Sequence, residues 1–202
     1  ARLLRFLVAR GAGDKADELL TKAVAITAQD AMSLHYLGLV KLQQGNDKAA
    51  SDLLERAKIA DPTNAETFYY SGEALTRLGK LDAALVDLQK AIDLRPDYFE
   101  SWYGKGSALF EQERYQEAVT AFEKAKTLRN NNAEVVANLG DAYRQLALGT
   151  PNDNRNNYQA ESNYNLAVTF LTHTPGFDQN AELKALTADL YTKIAYMIGK
   201  QC

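Results

Sequence analysis

The sequence predicts an all-α protein built from helical hairpins, because three residue patterns recur every 34 positions. Glycine recurs at this period, with a large apolar residue four positions before it. Alanine follows at twelve and nineteen positions after the first three glycines, with a large apolar residue in between. The glycines are Gly38, Gly72, Gly106 and Gly140, preceded by Leu34, Phe68, Trp102 and Val136; the later positions are Ala50, Leu54, Ala57, Ala84, Leu88, Ala91, Ala118, Phe122 and Ala125.

Each element of the hairpin has a physical reason. Large and small residues alternate at helical spacing, which predicts two amphipathic helices whose backbones approach at glycine and alanine. Gly45 and Gly79 stand between the paired helices and predict the turns. Pro62 and Pro96 end the second helices, because proline cannot continue a helix. Each hairpin then buries its apolar face on the next, and we expect Phe68 and Trp102 to be structural residues.

Composition excludes several classes of protein. The chain has 202 residues, of which 46% are hydrophobic and 24% charged, and its net charge is −3. An acidic balance argues against nucleic acid as a partner. No apolar run reaches the length of a membrane span, so we expect no membrane insertion. The chain begins at Ala1 without methionine, and we therefore expect it to be a fragment of a longer protein.

The residues that carry chemistry are sparse. Cys202 is the single cysteine, and His35 and His173 are far apart, so we expect no disulfide, metal site or cofactor. The glycine-containing segments at 11–14 and 104–107 lack the strand-to-helix junction that phosphate-binding loops need. We therefore expect no catalytic site in this chain and no enzyme activity.

The pattern resembles the tetratricopeptide repeat family. The resemblance implies a right-handed superhelical solenoid of antiparallel helix hairpins that forms one domain. The implied divisions are a partial unit at 1–30, repeats at 31–64, 65–98, 99–132 and 133–172, and a capping helix at 179–199.

The ends and one repeat depart from the regular pattern. Ala16, Leu20 and Ala23 fit the second helix of the partial unit, after a first helix with Leu3, Leu4 and Leu7. The fourth repeat carries eight additional residues, which predict an exposed loop at about 149–157. This loop is either a tolerated surface insertion or a contact loop. In the capping helix, Leu183, Leu186, Leu190, Ile194 and Met197 form one stripe, and Tyr191, Tyr196 and Ile198 widen the apolar surface.

In this family the first helices line a concave groove, and the resemblance implies which residues face it. In the first repeat they are Met32, His35, Leu39 and Leu42; in the second, Glu66, Tyr69, Tyr70, Glu73, Thr76 and Arg77. In the third they are Glu100, Tyr103, Ser107 and Phe110; in the fourth, Glu134, Ala137, Asn138, Asp141 and Arg144.

These positions suggest the chemistry of a partner. The apolar and aromatic members can anchor an interface, or they can pack against a neighbouring helix. The carboxylates favour a ligand with basic residues, although glutamate is also favourable at a helix N-terminus. The family's clamp for a C-terminal carboxylate uses lysine, arginine and asparagine. The matching positions here hold His35, Leu39, Tyr70, Glu100 and Gly104, so we expect no binding of that kind.

Three functions remain open from the sequence. The first is a non-catalytic scaffold that binds a peptide or protein segment with basic and apolar residues in the groove. The second is a regulatory or targeting module of a larger enzyme, such as a kinase or transferase. The third is self-assembly through the repeat ends. For a bacterial source, a soluble protein of the cytoplasm or periplasm fits all three.

Overall fold

A computed structural model describes residues 13–27, 30–149, 155–175 and 177–201. Within these ranges the regular structure is entirely helical, which confirms the predicted all-α fold of consecutive helical hairpins. The predicted helix with Leu3, Leu4 and Leu7 lies outside the described residues, as does Cys202.

The described residues form ten α-helices and one 3-10 turn. The helices are α1 Gly13–Ile26, α2 Ala31–Gln43, α3 Asp47–Ala60, α4 Ala65–Arg77, α5 Leu81–Leu94, α6 Phe99–Glu111, α7 Tyr115–Leu128, α8 Ala133–Gly149, α9 Arg155–Thr172 and α10 Ala181–Gln201, with the 3-10 turn at Phe177–Gln179. The chain divides into two compact units, residues 1–104 and residues 105–202.

In the first unit, α2 pairs with α3 and α4 pairs with α5, while α1 packs on α2 and α3 packs on α4. Asparagine or aspartate precedes α2, α3 and α4, where its side chain accepts a hydrogen bond from an otherwise unpaired backbone N–H group. Asp30 accepts from the Ser33 N–H at 3.0 Å, and Asn64 accepts from the Glu66 N–H at 3.0 Å. These caps fix where each hairpin starts.

In the second unit, α7 packs on α8, α8 on α9, and α9 on α10. Leu190, Ile194 and Met197 of α10 are buried in one cluster with Val136 and Tyr164. Leu186 of the predicted stripe is 43% exposed, so the terminal helix contributes Leu190, Ile194 and Met197 to the core, with Leu183 packed against them. Burial of each such side chain stabilises the fold by about 1.5–3 kcal/mol.

The periodic glycines lie where two helices of a hairpin touch. A Cβ atom added at Gly106 would stand 2.5 Å from the Phe122 ring, and one added at Gly140 would stand 2.6 Å from the Tyr164 ring. The second contact spans eight more residues of sequence than the first. The additional residues therefore leave the glycine–aromatic contact of the fourth hairpin unchanged.

The connection between α8 and α9 is shorter than predicted. The helix α8 ends at Gly149 and α9 begins at Arg155, so Asn156 and Asn157 of the predicted loop are helical. Residues 150–154 lie outside the described part of the chain. Asn157 is buried within α9.

A residue with a positive φ angle lies in the turn between the two helices of each of the first three complete hairpins. Gly45 has φ 72°, Gly79 has φ 70° and Glu113 has φ 60°. Each lies one repeat period after the previous one. The next position in this series is Ala147, where α8 continues without a turn until Gly149.

A buried ion pair joins two second helices of the first unit. Lys58 of α3 donates to both carboxylate oxygens of Asp87 of α5, at 2.9 and 2.7 Å, and the Ser71 hydroxyl also donates to Asp87 at 2.6 Å. The corresponding pair in the second unit is Lys126 and Asn163, at 3.2 Å. An amide there accepts the lysine hydrogen bond that a carboxylate accepts in the first unit.

The large residue before each glycine is not equally buried. Leu34 and Val136 are buried, whereas Phe68 and Trp102 are half-buried. The Trp102 indole Nε1 donates to the Pro96 carbonyl oxygen at 2.8 Å. Trp102 therefore has a structural contact, but less of its side-chain surface is buried than in a core tryptophan.

Candidate functional site

The predicted site residues lie on four first helices. In the first unit, α2 carries His35, Leu39 and Leu42, α4 carries Glu66, Tyr69, Tyr70, Glu73 and Arg77, and the start of α6 carries Glu100 and Tyr103. In the second unit, Phe110 lies on α6, and Asn138, Asp141 and Arg144 lie on α8.

The residues of α2 are mostly interior. His35 is 2% exposed and Leu42 is 5% exposed, while Leu39 is half-buried. The His35 Nδ1 atom and the Thr67 hydroxyl are 3.0 Å apart, so this imidazole is satisfied inside the protein. His35 and Leu42 are therefore core residues in this structure and offer little surface to a partner.

Half-buried tyrosines form a continuous row in the first unit. The Tyr69 and Tyr70 rings have centroids 4.8 Å apart, and Tyr98 meets Tyr69 edge to face at 5.5 Å. His35 meets Tyr70 at 5.8 Å. Aromatic pairs in these geometries are favourable beyond their buried area. The row is pre-ordered by these contacts, so a ligand would not have to order it.

The phenols in this row stay neutral. Burial raises the pKa of Tyr69 far above its ordinary value, and the nearby Glu73 carboxylate raises it further. Burial likewise raises the pKa of Tyr98, with Glu66 and Glu100 adding to the effect. Both groups are therefore hydroxyl donors throughout the physiological range.

Two of the predicted acidic residues have internal cationic partners. Glu66 lies 3.5 Å from Arg95, and Glu73 lies 2.5 Å from Arg77. Arg95 also lies over the Tyr98 ring, 4.3 Å from its centroid. These contacts reduce the net negative charge beside the tyrosine row, because each carboxylate is matched by a guanidinium.

A pocket of about 220 Å³ opens in the second unit. Its lining comes from α6, α7 and α8: Ser107, Phe110, Glu111, Phe122, Asn138 and Asp141. Four of these six were predicted as groove residues from the sequence, namely Ser107, Phe110, Asn138 and Asp141. The aromatic side chains supply apolar surface, and the other four supply polar groups.

Asp141 links this pocket to the terminal helix. Its Oδ1 atom accepts a hydrogen bond from the Tyr164 hydroxyl at 2.8 Å, and its Oδ2 atom accepts one from Lys193 of α10 at 3.1 Å. Arg144 lies 3.8 Å from the same carboxylate. Burial raises the pKa of Tyr164, with Asp141 contributing, so this phenol remains a donor. Asp141 is therefore largely neutralised from within the protein.

Sequence reasoning missed Tyr98, Glu111, Phe122 and Lys193 as members of these surfaces. A signal existed for Glu111, because it stands one repeat period after Arg77, which was predicted. Phe122 was assigned to the framework only. Lys193 lies in the terminal helix, outside the periodic pattern, so no register could place it beside Asp141.

Metal sites and membrane-spanning helices are absent from the described residues. No group of three histidine, cysteine, aspartate or glutamate side chains is placed there to hold a metal ion. Among the helices described, none combines the length and apolar character that crossing a membrane requires.

Stacked helical hairpins whose residue pattern recurs at one fixed period define a helical-repeat protein. Residues 69–133 match the tetratricopeptide repeat family model. Over those residues the chain is similar to the tetratricopeptide repeat family, in agreement with the resemblance seen in its sequence. No curated protein matches its sequence.

Solved structures share the fold along most of the chain. A crystal structure of MamA is 22% identical with a TM-score of 0.72, covering 81% of this chain and 91% of that one. A MamA double mutant designated RS-1 is 16% identical with a TM-score of 0.73, covering 84% and 90%. YrrB, titled a TPR protein with an unusual peptide-binding site, is 22% identical with a TM-score of 0.69, covering 85% and 84%.

Proposed function

We propose that this chain is a non-catalytic scaffold that binds a peptide or protein segment on the faces of its first helices. The observation that carries the proposal is the pocket in the second unit, which contains Phe110, Asn138 and Asp141. A pocket with apolar walls and a few polar groups is the usual form of a binding site. The proposed scaffold consists of four repeats, at 31–64, 65–98, 99–132 and 133–172.

The tyrosine row of the first unit supports the same function. Tyrosine is enriched among residues that dominate binding energy, because it combines a large apolar ring with a hydroxyl. Tyr69 and Tyr70 of this row are half-buried, as is Tyr103 of α6, so each keeps some surface for a partner. The peptide-binding site named for YrrB supports peptide as the ligand class.

The ligand's affinity would come mainly from apolar contacts. Glu66 and Glu73 already have arginine partners, so a basic ligand residue would gain little by replacing them. Steering by the acidic net charge would still favour a partner with basic residues. His35 and Leu42 are left out of the proposed surface because they are interior.

The test is selection of peptides from a phage-displayed random library on the full chain. Selected peptides are then measured by fluorescence anisotropy. We expect Phe110→Ala, or Tyr69→Ala with Tyr103→Ala, to weaken binding by about tenfold or more. Tyr158→Ala is the matched control, because Tyr158 is an exposed tyrosine of α9. Peptides that bind both site variants as tightly as the unaltered chain would contradict the proposal.

Self-association is a second candidate, favoured by the exposed apolar side chains of α10. Tyr191 and Ile198 are about half exposed, as are Leu186 and Tyr196. Exposed apolar surface of this kind marks association sites. Sedimentation velocity over a range of concentrations is the test, and a mass that stays monomeric throughout would rule the candidate out.

A further inference from the structure

The two carboxylates of the pocket in the second unit have different surroundings. Asp141 is held by Tyr164 and Lys193. Glu111 is exposed, and among the described residues its carboxylate has no ion pair. Of the two, Glu111 is therefore the negative charge available to a ligand.

Glu111 also stands at an unusual place in its helix. It is the last residue of α6, where the helix dipole presents its negative end. A carboxylate there is unfavourable for the helix alone, whereas a cation is favourable. A positively charged ligand group would interact with both the carboxylate and the helix end.

The corresponding position of the previous repeat shows the favourable arrangement. Arg77 is the last residue of α4, and its Nη1 atom donates to the Leu42 carbonyl oxygen at 3.2 Å. Arg77 also pairs with Glu73 in its own helix. At α6 the arginine is replaced by Glu111, so the last turn of α6 carries no basic residue of its own.

The pocket has the size of one long side chain. Its volume is about 220 Å³. This is below the range of roughly 300–1,000 Å³ typical of pockets for drug-sized ligands. Phe110 and Phe122 can cover a methylene stem, since lysine and arginine pack their stems on apolar surface.

We propose that this pocket binds a single arginine or lysine side chain of the partner segment, with its stem on Phe110 and Phe122 and its charged group at Glu111. The inference rests on the proposed peptide-binding function. Lys193 limits the pocket to one cation, because it already neutralises Asp141. Occupancy therefore requires one basic residue, and a second adjacent basic residue adds little.

Three small probes test the charge preference on the full chain by NMR titration. They are N-acetyl-arginine amide, N-acetyl-lysine amide and N-acetyl-norleucine amide, whose stem is uncharged. We expect the two cationic probes to bind about tenfold more tightly than the norleucine probe at low salt. Their shifts should be largest at the backbone amides of Ser107 and Asn138. Equal binding of all three probes would overturn the inference.

Two variants test whether Glu111 is responsible for the preference for cationic probes. Glu111→Gln should reduce the preference for the cationic probes over the norleucine probe to about threefold or less, because the pocket then lacks its exposed carboxylate. Glu182→Gln is the matched control, because Glu182 is an exposed residue in the first turn of α10. A preference that survives Glu111→Gln, or that Glu182→Gln removes equally, would contradict the assignment to Glu111.

Selected peptides separate this inference from the proposed function. Peptides that bind but lose no affinity when their basic residues become norleucine would contradict the inference alone. Cationic probes that bind at Glu111 while the library yields no peptide would contradict the proposed function and uphold the pocket.

Discussion

Glu113 stands at the position that Gly79 occupies one repeat earlier, and both residues have a left-handed backbone, with φ of 60° and 70°. The hydrogen bonds match as well. The N–H of Gly79 donates to Thr76 at 2.8 Å, and the N–H of Glu113 donates to Phe110 at 2.9 Å. The turn geometry is therefore imposed by the hairpin, even where the residue is not glycine.

Replacing Glu113 by glycine should stabilise the protein by about 1 kcal/mol, because a side chain makes the left-handed conformation costly. The reciprocal variant Gly79→Glu should destabilise it by a similar amount. Urea denaturation followed by circular dichroism measures both. Destabilisation by Glu113→Gly would show that glycine's backbone entropy outweighs the strain.

Gly106→Ala should destabilise the protein by about 1–3 kcal/mol, because the new methyl group would overlap the buried Phe122 ring. Gly199→Ala is the control, since its Cβ would meet nothing within 4 Å. That exposed helical position should gain up to about 1 kcal/mol. Thermal denaturation of the two variants tests the contrast, and equal effects would contradict the close-contact explanation.

Asp87→Ala should cost about 3 kcal/mol, because it leaves the largely buried Lys58 with only the exposed Glu55 carboxylate and removes the acceptor of the Ser71 hydroxyl. Asp87→Asn should cost about 1 kcal/mol, since an amide already accepts from Lys126 at the corresponding position. Asp52→Ala on the exposed side of α3 is the control. If the asparagine and alanine variants are equally unstable by chemical denaturation, the ion pair acts through its charge and the hydrogen bond contributes nothing.

The packing of α1 on α2 should lose stability in acid. The hydrogen bond from Lys41 is the main cause that lowers the pKa of Asp17, and Gln44 adds a second one. A lowered folded pKa means that the unfolded chain takes up protons first as the pH falls. The stability is therefore present above the ordinary aspartate pKa of about 3.9 and is lost below it.

Thermal denaturation between pH 7 and pH 3 measures this dependence. Asp17→Asn should lower stability at pH 7 and make the fall toward pH 3 shallower. Asp14→Asn serves as the control, because Asp14 is an exposed residue of the same helix. If stability falls with pH at the same slope in the unaltered chain and in both variants, Asp17 is not the source of the pH dependence.

The hairpin core was predictable because it depends on local spacing. Gly72 and Leu88 contact each other, as do Gly140 and Tyr164, at the positions that the repeat period predicts. Such contacts follow from helix geometry, since residues on one face recur every three or four positions.

The charges of the site were less predictable, because their partners come from other helices. The register placed Glu66 and Asp141 on first helices, but Arg95 follows α5 and Lys193 lies in α10. Side-chain pairing between helices depends on their packing, which the periodic pattern does not specify. The interior location of His35 was missed for the same reason, since Thr67 of α4 satisfies it.

The lysine pairs also bear on how such an array can grow or shrink by recombination. Lys58 and Lys126 are two repeats apart, and so are their acceptors Asp87 and Asn163 once the eight additional residues are allowed for. The intervening repeat has Ala121 at the acceptor position. Loss of a single repeat would offer Lys58 an alanine, whereas loss of two would offer it Asn163. A deletion of one repeat after Lys58 would therefore remove this contact between second helices, whereas a deletion of two would replace it by a lysine–asparagine hydrogen bond.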